Sequence, residues 1–237
     1  MADGERADGE RAGGERKVGV GEIFSAFGST LSRHARLSLL AGLGIVALTS
    51  ITDVLLGDSG GQFAGTVASF LIQYHLMEQA LAADGLLSPA VAGRRYLSVV
   101  GASILTTLGI AFGFVLFIVP GLLLLARWSL TWPYIIGQGM PATEAMGASW
   151  RHTRASMVSI VLFYVICMVL LVVPLAGVGI AEGLASALSG PSITAGVGGT
   201  ILGNAVAALM AVGGTVLTLT LYRLLGHSDD RLAEVFG

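Results

Sequence analysis

Residues 37–56 read LSLLAGLGIVALTSITDVLL, a run of twenty residues in which Asp53 is the one charged side chain. A helix of about 20 predominantly apolar residues crosses a bilayer core of about 30 Å. The run therefore predicts a membrane-spanning helix. The rest of the chain is similar in character, because its mean hydropathy is +0.81 and 12% of its residues are charged. Soluble proteins carry about 25% charged residues, so lipid is expected to cover most of this surface.

Five further apolar segments follow the first and together predict an all-α membrane bundle of about six spanning helices. They are residues 64–83, 98–119, 122–138, 157–178 and about 195–222. We expect a glycine-rich loop at 57–63 and a turn at Pro120-Gly121 between the third and fourth segments. The alternative for that joint is one long helix over 98–126 with a proline kink, since membrane helices tolerate proline.

The basic residues favour the six-span arrangement. Twelve of the 13 Lys and Arg residues lie in four polar regions, namely the N-terminal segment up to Arg36, residues 84–97, residues 139–156 and the end after 222. In a six-span bundle these regions share one face of the membrane. Because cytoplasmic loops are enriched in Lys and Arg, we expect both termini in the cytoplasm. A single span over 98–126 would break this pattern.

The polar ends of the chain define the domain boundaries. Residues 2–16 read ADGER, ADGER and AGGER, and this unit contains no apolar residue larger than alanine. Such a repeat cannot bury a core. We therefore expect a disordered tail over 1–17, a transmembrane domain over 18–225 and a short cytoplasmic tail over 226–237.

Two segments outside the spans have amphipathic patterns. Residues 18–35 form either a helix on the cytoplasmic membrane surface or an extension of the first span. Residues 139–156 predict a second surface helix. Its Trp150 is expected at headgroup level, where Arg151 and Arg154 could meet anionic lipid phosphates.

Four ionisable residues lie within predicted spans, where they are costly and are functional candidates. Asp53 and Arg127 fall at comparable depths and are expected to pair. His75 and Glu78, one turn apart, lie toward the cytoplasmic end of the second span. Together the four could line a polar pocket or solute route, or they could form a structural ion pair plus an interfacial acid.

No metal site is expected, since the sequence offers no third and fourth ligand at recognisable spacing, and we predict no cofactor and no catalytic residue.

Residues 119–154 carry the most distinctive pattern of the chain. It consists of Val119-Pro120-Gly121-Leu122, Ala126-Arg127-Trp128-Ser129-Leu130, Pro133, Met140-Pro141, Glu144-Ala145, Ser149-Trp150-Arg151 and Thr153-Arg154. This pattern resembles the membrane domain associated with glycerophosphoryl diester phosphodiesterases, which also occurs as stand-alone six-helix bacterial proteins. The resemblance implies a fold and a multi-pass location in the bacterial inner membrane. It does not imply the phosphodiesterase reaction, which in fused members belongs to a separate soluble barrel domain.

Three functions follow from these observations. The first is a non-catalytic scaffold, anchor or regulator of a partner, linked to lipid or envelope homeostasis. The second is a small transporter or channel with a polar intramembrane site around Arg127. The third, ranked last, is a membrane-embedded lipid enzyme. The expected partners are the bilayer, anionic headgroups, and a second copy or another membrane protein; no nucleic acid is expected.

Overall fold

The computed structural model describes residues 17–88, 95–189 and 193–226, and these residues form helices and no strand. The predicted all-α class is therefore confirmed. Both predicted tails lie largely outside the described residues. The helices are α1 Val20–Arg33, α2 Ala35–Ala83, α3 Tyr96–Leu116, α4 Ile118–Arg127, α5 Thr131–Gln138, α6 Ala142–His152, α7 Met157–Ser189 and α8 Ile193–Leu225.

Helix α2 is a hairpin of two limbs, because its backbone turns back at Gly57 (φ +70°, ψ −177°). Glycine adopts this left-handed φ without a Cβ clash. Beyond the turn, the second limb runs back along the first: Gly65 packs against Thr49, and a Cβ built on Gly61 would lie 2.7 Å from the Cα of Asp53. The predicted reversal is thus present, although helix occupies the residues expected to form a loop.

Helices α3 and α4 form a second hairpin. The chain reverses at Phe117, whose backbone is extended (φ −166°, ψ 155°), and Gly113 then faces Gly121. A hairpin rather than one kinked helix is therefore correct, but the turn predicted at Pro120-Gly121 is wrong in position. Pro120 lies instead in the first turn of α4, where a missing backbone N–H costs no helical hydrogen bond.

The expected fourth span, 122–138, is interrupted. Helix α4 ends at Arg127 and α5 begins at Thr131, so neither is long enough to cross a bilayer core of about 30 Å. In the described residues, three helices are long and apolar enough to do so, namely Ala35–Gly57, Tyr96–Leu116 and Gly199–Leu225. The count rises to four if α6 and Met157–Leu171, bent by 98°, are one span. The membrane bundle is confirmed, whereas six separate spans are not.

Helix α1 is a separate element and not an extension of the first span, because the helix breaks at His34. Its apolar face packs on the bundle, where Ile23 is completely buried. Its start is tied to the start of α7, since the Val18 backbone N–H donates to Ser156 Oγ at 2.9 Å.

The ends of several helices lie close together at one end of the bundle, which we call the Asp84 end. Asp84 follows α2 and meets His34, between α1 and α2, and Arg223, near the end of α8. At the same end, Gln138 of α5 donates to the hydroxyl of Tyr222 in α8 at 2.9 Å. The hairpin turns at Gly57 and Phe117 lie at the far ends of helices that begin here.

Candidate functional site

A cavity of about 930 Å³ lies between both limbs of α2, α3, α5 and α8. Its size is at the upper end of the roughly 300–1,000 Å³ common for small-molecule sites. Hydroxyl and amide side chains from both limbs of α2, from α3 and from α8 line it, and α5 contributes Trp132. Prominent among them are Ser50, Gln62, Gln73, Ser103, Thr106 and Asn204.

The second limb of α2 supplies a continuous polar face to this cavity. Gln62, Thr66, Ser69 and Gln73 all line it, and their spacing of four, three and four residues places them on one side of a helix. Two of them bond to the backbone of their own limb: Thr66 donates to the carbonyl of Gln62 at 2.7 Å, and Gln73 to that of Ser69 at 3.3 Å. The spacing is present in the sequence, but a search for charged residues within spans does not detect uncharged side chains.

Asp53 is the one charged side chain among the described residues of the cavity wall. Its Oδ2 accepts a hydrogen bond from Asn204 Nδ2 at 3.0 Å, and the same amide donates to Ser50 Oγ at 3.1 Å. Asn204 therefore holds the carboxylate against α8. Gly61 leaves the space that the other carboxylate oxygen occupies, since a Cβ there would lie 2.8 Å from Asp53 Oδ1.

Two aromatic side chains also line the cavity. The indole N–H of Trp132 donates to Ser103 Oγ at 3.2 Å, and its ring meets Phe70 edge-on, with centroids 5.5 Å apart. The cavity thus combines one carboxylate, several neutral hydrogen-bonding groups and two aromatic rings. Such a wall can hold a positively charged group through the carboxylate and the ring faces.

The structure does not form the expected ion pair between Asp53 and Arg127. Arg127 Nη1 instead donates to the Trp150 carbonyl of α6 at 2.9 Å, and its Cζ lies 4.8 Å from the centroid of the Trp150 ring. The helix break after Arg127 explains the difference, because α6 packs beside that break and meets the guanidinium first.

His75 and Glu78 do lie together, as their spacing suggested. His75 Nδ1 is 3.4 Å from Glu78 Oε2, and His75 Nε2 is 3.4 Å from the hydroxyl of Tyr96. Neither lines the cavity. The four candidate residues are therefore split over three places, of which Asp53 alone belongs to the cavity. In the described part of the chain, no three His, Cys, Asp or Glu side chains are placed to hold a metal ion.

Helix α6 has one buried face and one exposed face. On the buried face, Ser149 Oγ donates to the Arg127 carbonyl at 2.6 Å and accepts from the Leu130 N–H at 3.1 Å. On the other face, Trp150, Arg151 and Arg154 are exposed. The helix is amphipathic as predicted, but its inner face packs on protein.

Sequence reasoning missed a buried acid at the Asp84 end. The side chain of Asp84 is 5% exposed; its Oδ2 lies 3.2 Å from His34 Nε2 and 3.6 Å from Arg223 Nη1, and its Oδ1 lies 3.5 Å from Arg33 Nη1. No local pattern indicated this cluster, because its basic partners come from distant parts of the chain. It ties the ends of α1, α2 and α8 together, which is a structural role.

Comparison with known protein families gives one match. The model of the membrane domain of glycerophosphoryl diester phosphodiesterase matches residues 99–223, more than half of the chain. Comparisons with curated proteins and with solved structures gave no match. The matched region contains Ser103, Trp132 and Asn204 of the cavity wall, whereas Asp53 lies before it. On this match, the chain belongs to the family of the membrane domain of glycerophosphoryl diester phosphodiesterase.

Proposed function

We propose that this protein is a non-catalytic membrane protein that binds a positively charged polar ligand in the cavity beside Asp53 and moves it as a small transporter. The observation that carries the proposal is a large polar cavity whose described wall holds a single charge, the Asp53 carboxylate. In a low-dielectric bundle, an intramembrane carboxylate attracts a cation far more strongly than it would in water.

The depth of the cavity supports movement of a ligand rather than surface binding alone. From Gln62 to Gln73, the polar face of the second limb extends for about 16 Å at the helical rise of 1.5 Å per residue. This is about half of a bilayer core of about 30 Å. Trp132 and Phe70 provide aromatic surface to which a quaternary ammonium group would bind.

The proposed ligand site is centred on Asp53. The sequence had indicated Arg127 as the centre of a transporter site. Arg127 already has a hydrogen bond and a ring contact with Trp150, and a cation would not favour binding of another cation. A ligand with a negative charge is disfavoured for the complementary reason, since Asp53 would repel it.

Uptake of radiolabelled choline into proteoliposomes tests the proposal, because choline is permanently charged and crosses lipid poorly. We expect saturable uptake by the full chain and about tenfold weaker apparent affinity for Asp53→Asn, which corresponds to about 1.4 kcal/mol. Arg127→Ala should transport like the unmodified protein. Uptake equal to that of empty liposomes would contradict transport, and choline binding unchanged by Asp53→Asn would contradict the assignment of the site.

A scaffold or regulator in lipid or envelope homeostasis is the second candidate. The observation that favours it is the exposed face of α6, where Trp150 is 44% exposed beside Arg151 and Arg154. This face suits anionic headgroups or another membrane protein. Copurification after mild solubilisation should then recover a partner or an oligomer that Trp150→Ala/Arg151→Ala loses. Recovery of the protein alone would count against this candidate.

A further inference from the structure

We infer that the ligand is an amphiphile, with an ammonium group beside Asp53 and a hydrocarbon chain in a second, apolar cavity of the same bundle. This inference rests on the proposed function and specifies its ligand. It follows from three cavities that share their walls and change from polar to apolar along their length.

The apolar cavity has a volume of about 490 Å³ and lies between α1, α4, α7 and α8. No charged side chain lines it among the described residues. Phe163 and Leu217 of its wall are buried, whereas Met168, Leu170 and Leu209 are exposed, so the cavity opens on the apolar outer surface of the bundle and can take a hydrocarbon chain from the bilayer.

An intermediate cavity of about 270 Å³ lies between the other two and borders both. It shares Gln73, Thr106 and Trp132 with the polar cavity. It shares Leu125 and Gly214 with the apolar cavity. A molecule lying in all three would therefore pass from hydrogen-bonding side chains to purely apolar ones.

Thr131 gives independent evidence for a polar group in the intermediate cavity. This residue lines the cavity and is 1% exposed, and its hydroxyl has no hydrogen-bond partner in the structure. Buried hydroxyl groups are normally paired. The Thr131 oxygen has almost no accessible surface, so a small movement of the cavity wall is needed before a linking ester or hydroxyl of an amphiphile reaches it and supplies the missing partner.

The three cavities together favour an amphiphile over a small hydrophilic cation. A small cation would use Asp53 alone and leave the apolar cavity to bilayer lipid. A neutral hydrocarbon would bury its chain and leave the carboxylate without a counter-charge. A single molecule with both parts satisfies both sites.

Equilibrium binding to the immobilised full chain in digitonin, which has no alkyl tail to compete, tests this inference. The probes are choline, dodecyltrimethylammonium (the same head with a chain) and dodecanol (the chain without charge). Burial of the chain should make dodecyltrimethylammonium bind at least about a hundredfold more tightly than choline. Asp53→Asn should weaken both cations about tenfold and leave dodecanol unchanged.

Gly214 provides the decisive variant, because it borders both the intermediate and the apolar cavity and a Cβ there meets nothing within 4 Å. Gly214→Leu should reduce dodecyltrimethylammonium affinity to near that of choline while choline binding persists, which also shows that the variant is folded. Gly213→Val, inside the apolar cavity alone, is the substitute if Gly214→Leu loses choline binding.

Glu144→Gln, which removes an exposed acid on α6, is the charge control and should leave the affinities of all three probes unchanged.

The outcomes separate the two proposals. The two cations could bind with equal affinity, and filling of the apolar cavity could leave both affinities unchanged. That result would overturn the inference that the ligand is an amphiphile, while the cation site at Asp53 would still hold. If dodecyltrimethylammonium binds tightly and its affinity does not change in Asp53→Asn, the inference is also overturned, because the ammonium group would not lie at Asp53. Absence of Asp53-dependent binding by either cation would overturn the proposed function itself.

Discussion

Single side chains hold the irregular parts of this bundle in place. Ser149 is fully buried and joins the carbonyl of Arg127, the last residue of α4, to the N–H of Leu130, the residue before α5. Thr153, one turn later, also reaches the Arg127 carbonyl, at 3.4 Å. The family-like residues Arg127, Ser149, Trp150 and Thr153 therefore converge on one helix break. Their pattern in the sequence reflects this junction and not the cavity beside Asp53.

Removal of the Ser149 hydroxyl should destabilise the protein. Ser149→Ala leaves the Leu130 N–H and one acceptor site of the Arg127 carbonyl without that partner, and we expect a loss of about 1–3 kcal/mol. Thermal unfolding in detergent measures it. Thr143→Ala, an exposed hydroxyl on the same helix, is the control. Equal melting temperatures for the two variants would show that the junction does not depend on this hydroxyl.

At the scale of helices, two hairpins shape the polar cavity, and glycine sets the approach of their limbs. In α2, Gly57 makes the turn and Gly61 brings the second limb against Asp53. In the α3–α4 hairpin, Gly113 faces Gly121, so the two backbones are in contact. Close approach of backbones is what small residues permit between membrane helices.

Gly61→Ala should separate the limbs of α2. Its Cβ would lie 2.7 Å from the Asp53 Cα, a contact with backbone that cannot be relieved by a side-chain rotation. We expect lower thermal stability and weaker choline binding. Gly101→Ala in α3 is the matched control, because its Cβ meets nothing within 4 Å, and it should stabilise the helix by up to about 1 kcal/mol. A Gly61→Ala protein that melts and binds like the original would refute the close contact.

At the scale of the whole molecule, Arg33, Arg36 and Arg223 lie where helices begin or end at the Asp84 end, and two of them contact Asp84. The positive-inside rule then supports a cytoplasmic position for this end. The polar cavity extends from the middle of the bundle toward the turn at Gly57. Its charged end would accordingly lie in the outer half of the membrane.

Cysteine labelling measures this orientation. In a Cys167→Ala background, which removes the one natural cysteine, Phe117→Cys should react with a membrane-impermeant maleimide in right-side-out vesicles. Thr143→Cys, near the Asp84 end, should react only after permeabilisation. Both original residues are exposed, so burial does not prevent reaction. The reverse labelling pattern would invert the proposed topology.

The sequence by itself determined the properties that depend on composition and local pattern. Apolar runs such as 37–56 and the low charge predict a helical membrane bundle, because lipid accepts only backbones that satisfy their own hydrogen bonds. The amphipathic segments around α1 and α6 followed from helical periodicity, and residues 119–154 indicated the family. Glycine and proline also marked both reversals, to within a few residues.

Only the tertiary structure decided which polar residues meet. Asp53 pairs with Asn204 and not with Arg127, since α8 packs beside the first limb of α2 while α6 reaches Arg127. The interruption of the fourth span likewise depends on Ser149, a residue from a later helix. These contacts join residues far apart in the chain, and hydropathy and spacing do not encode which helices become neighbours. The cavity itself is the space left by that packing, and it exists only once the two hairpins and α8 have assembled.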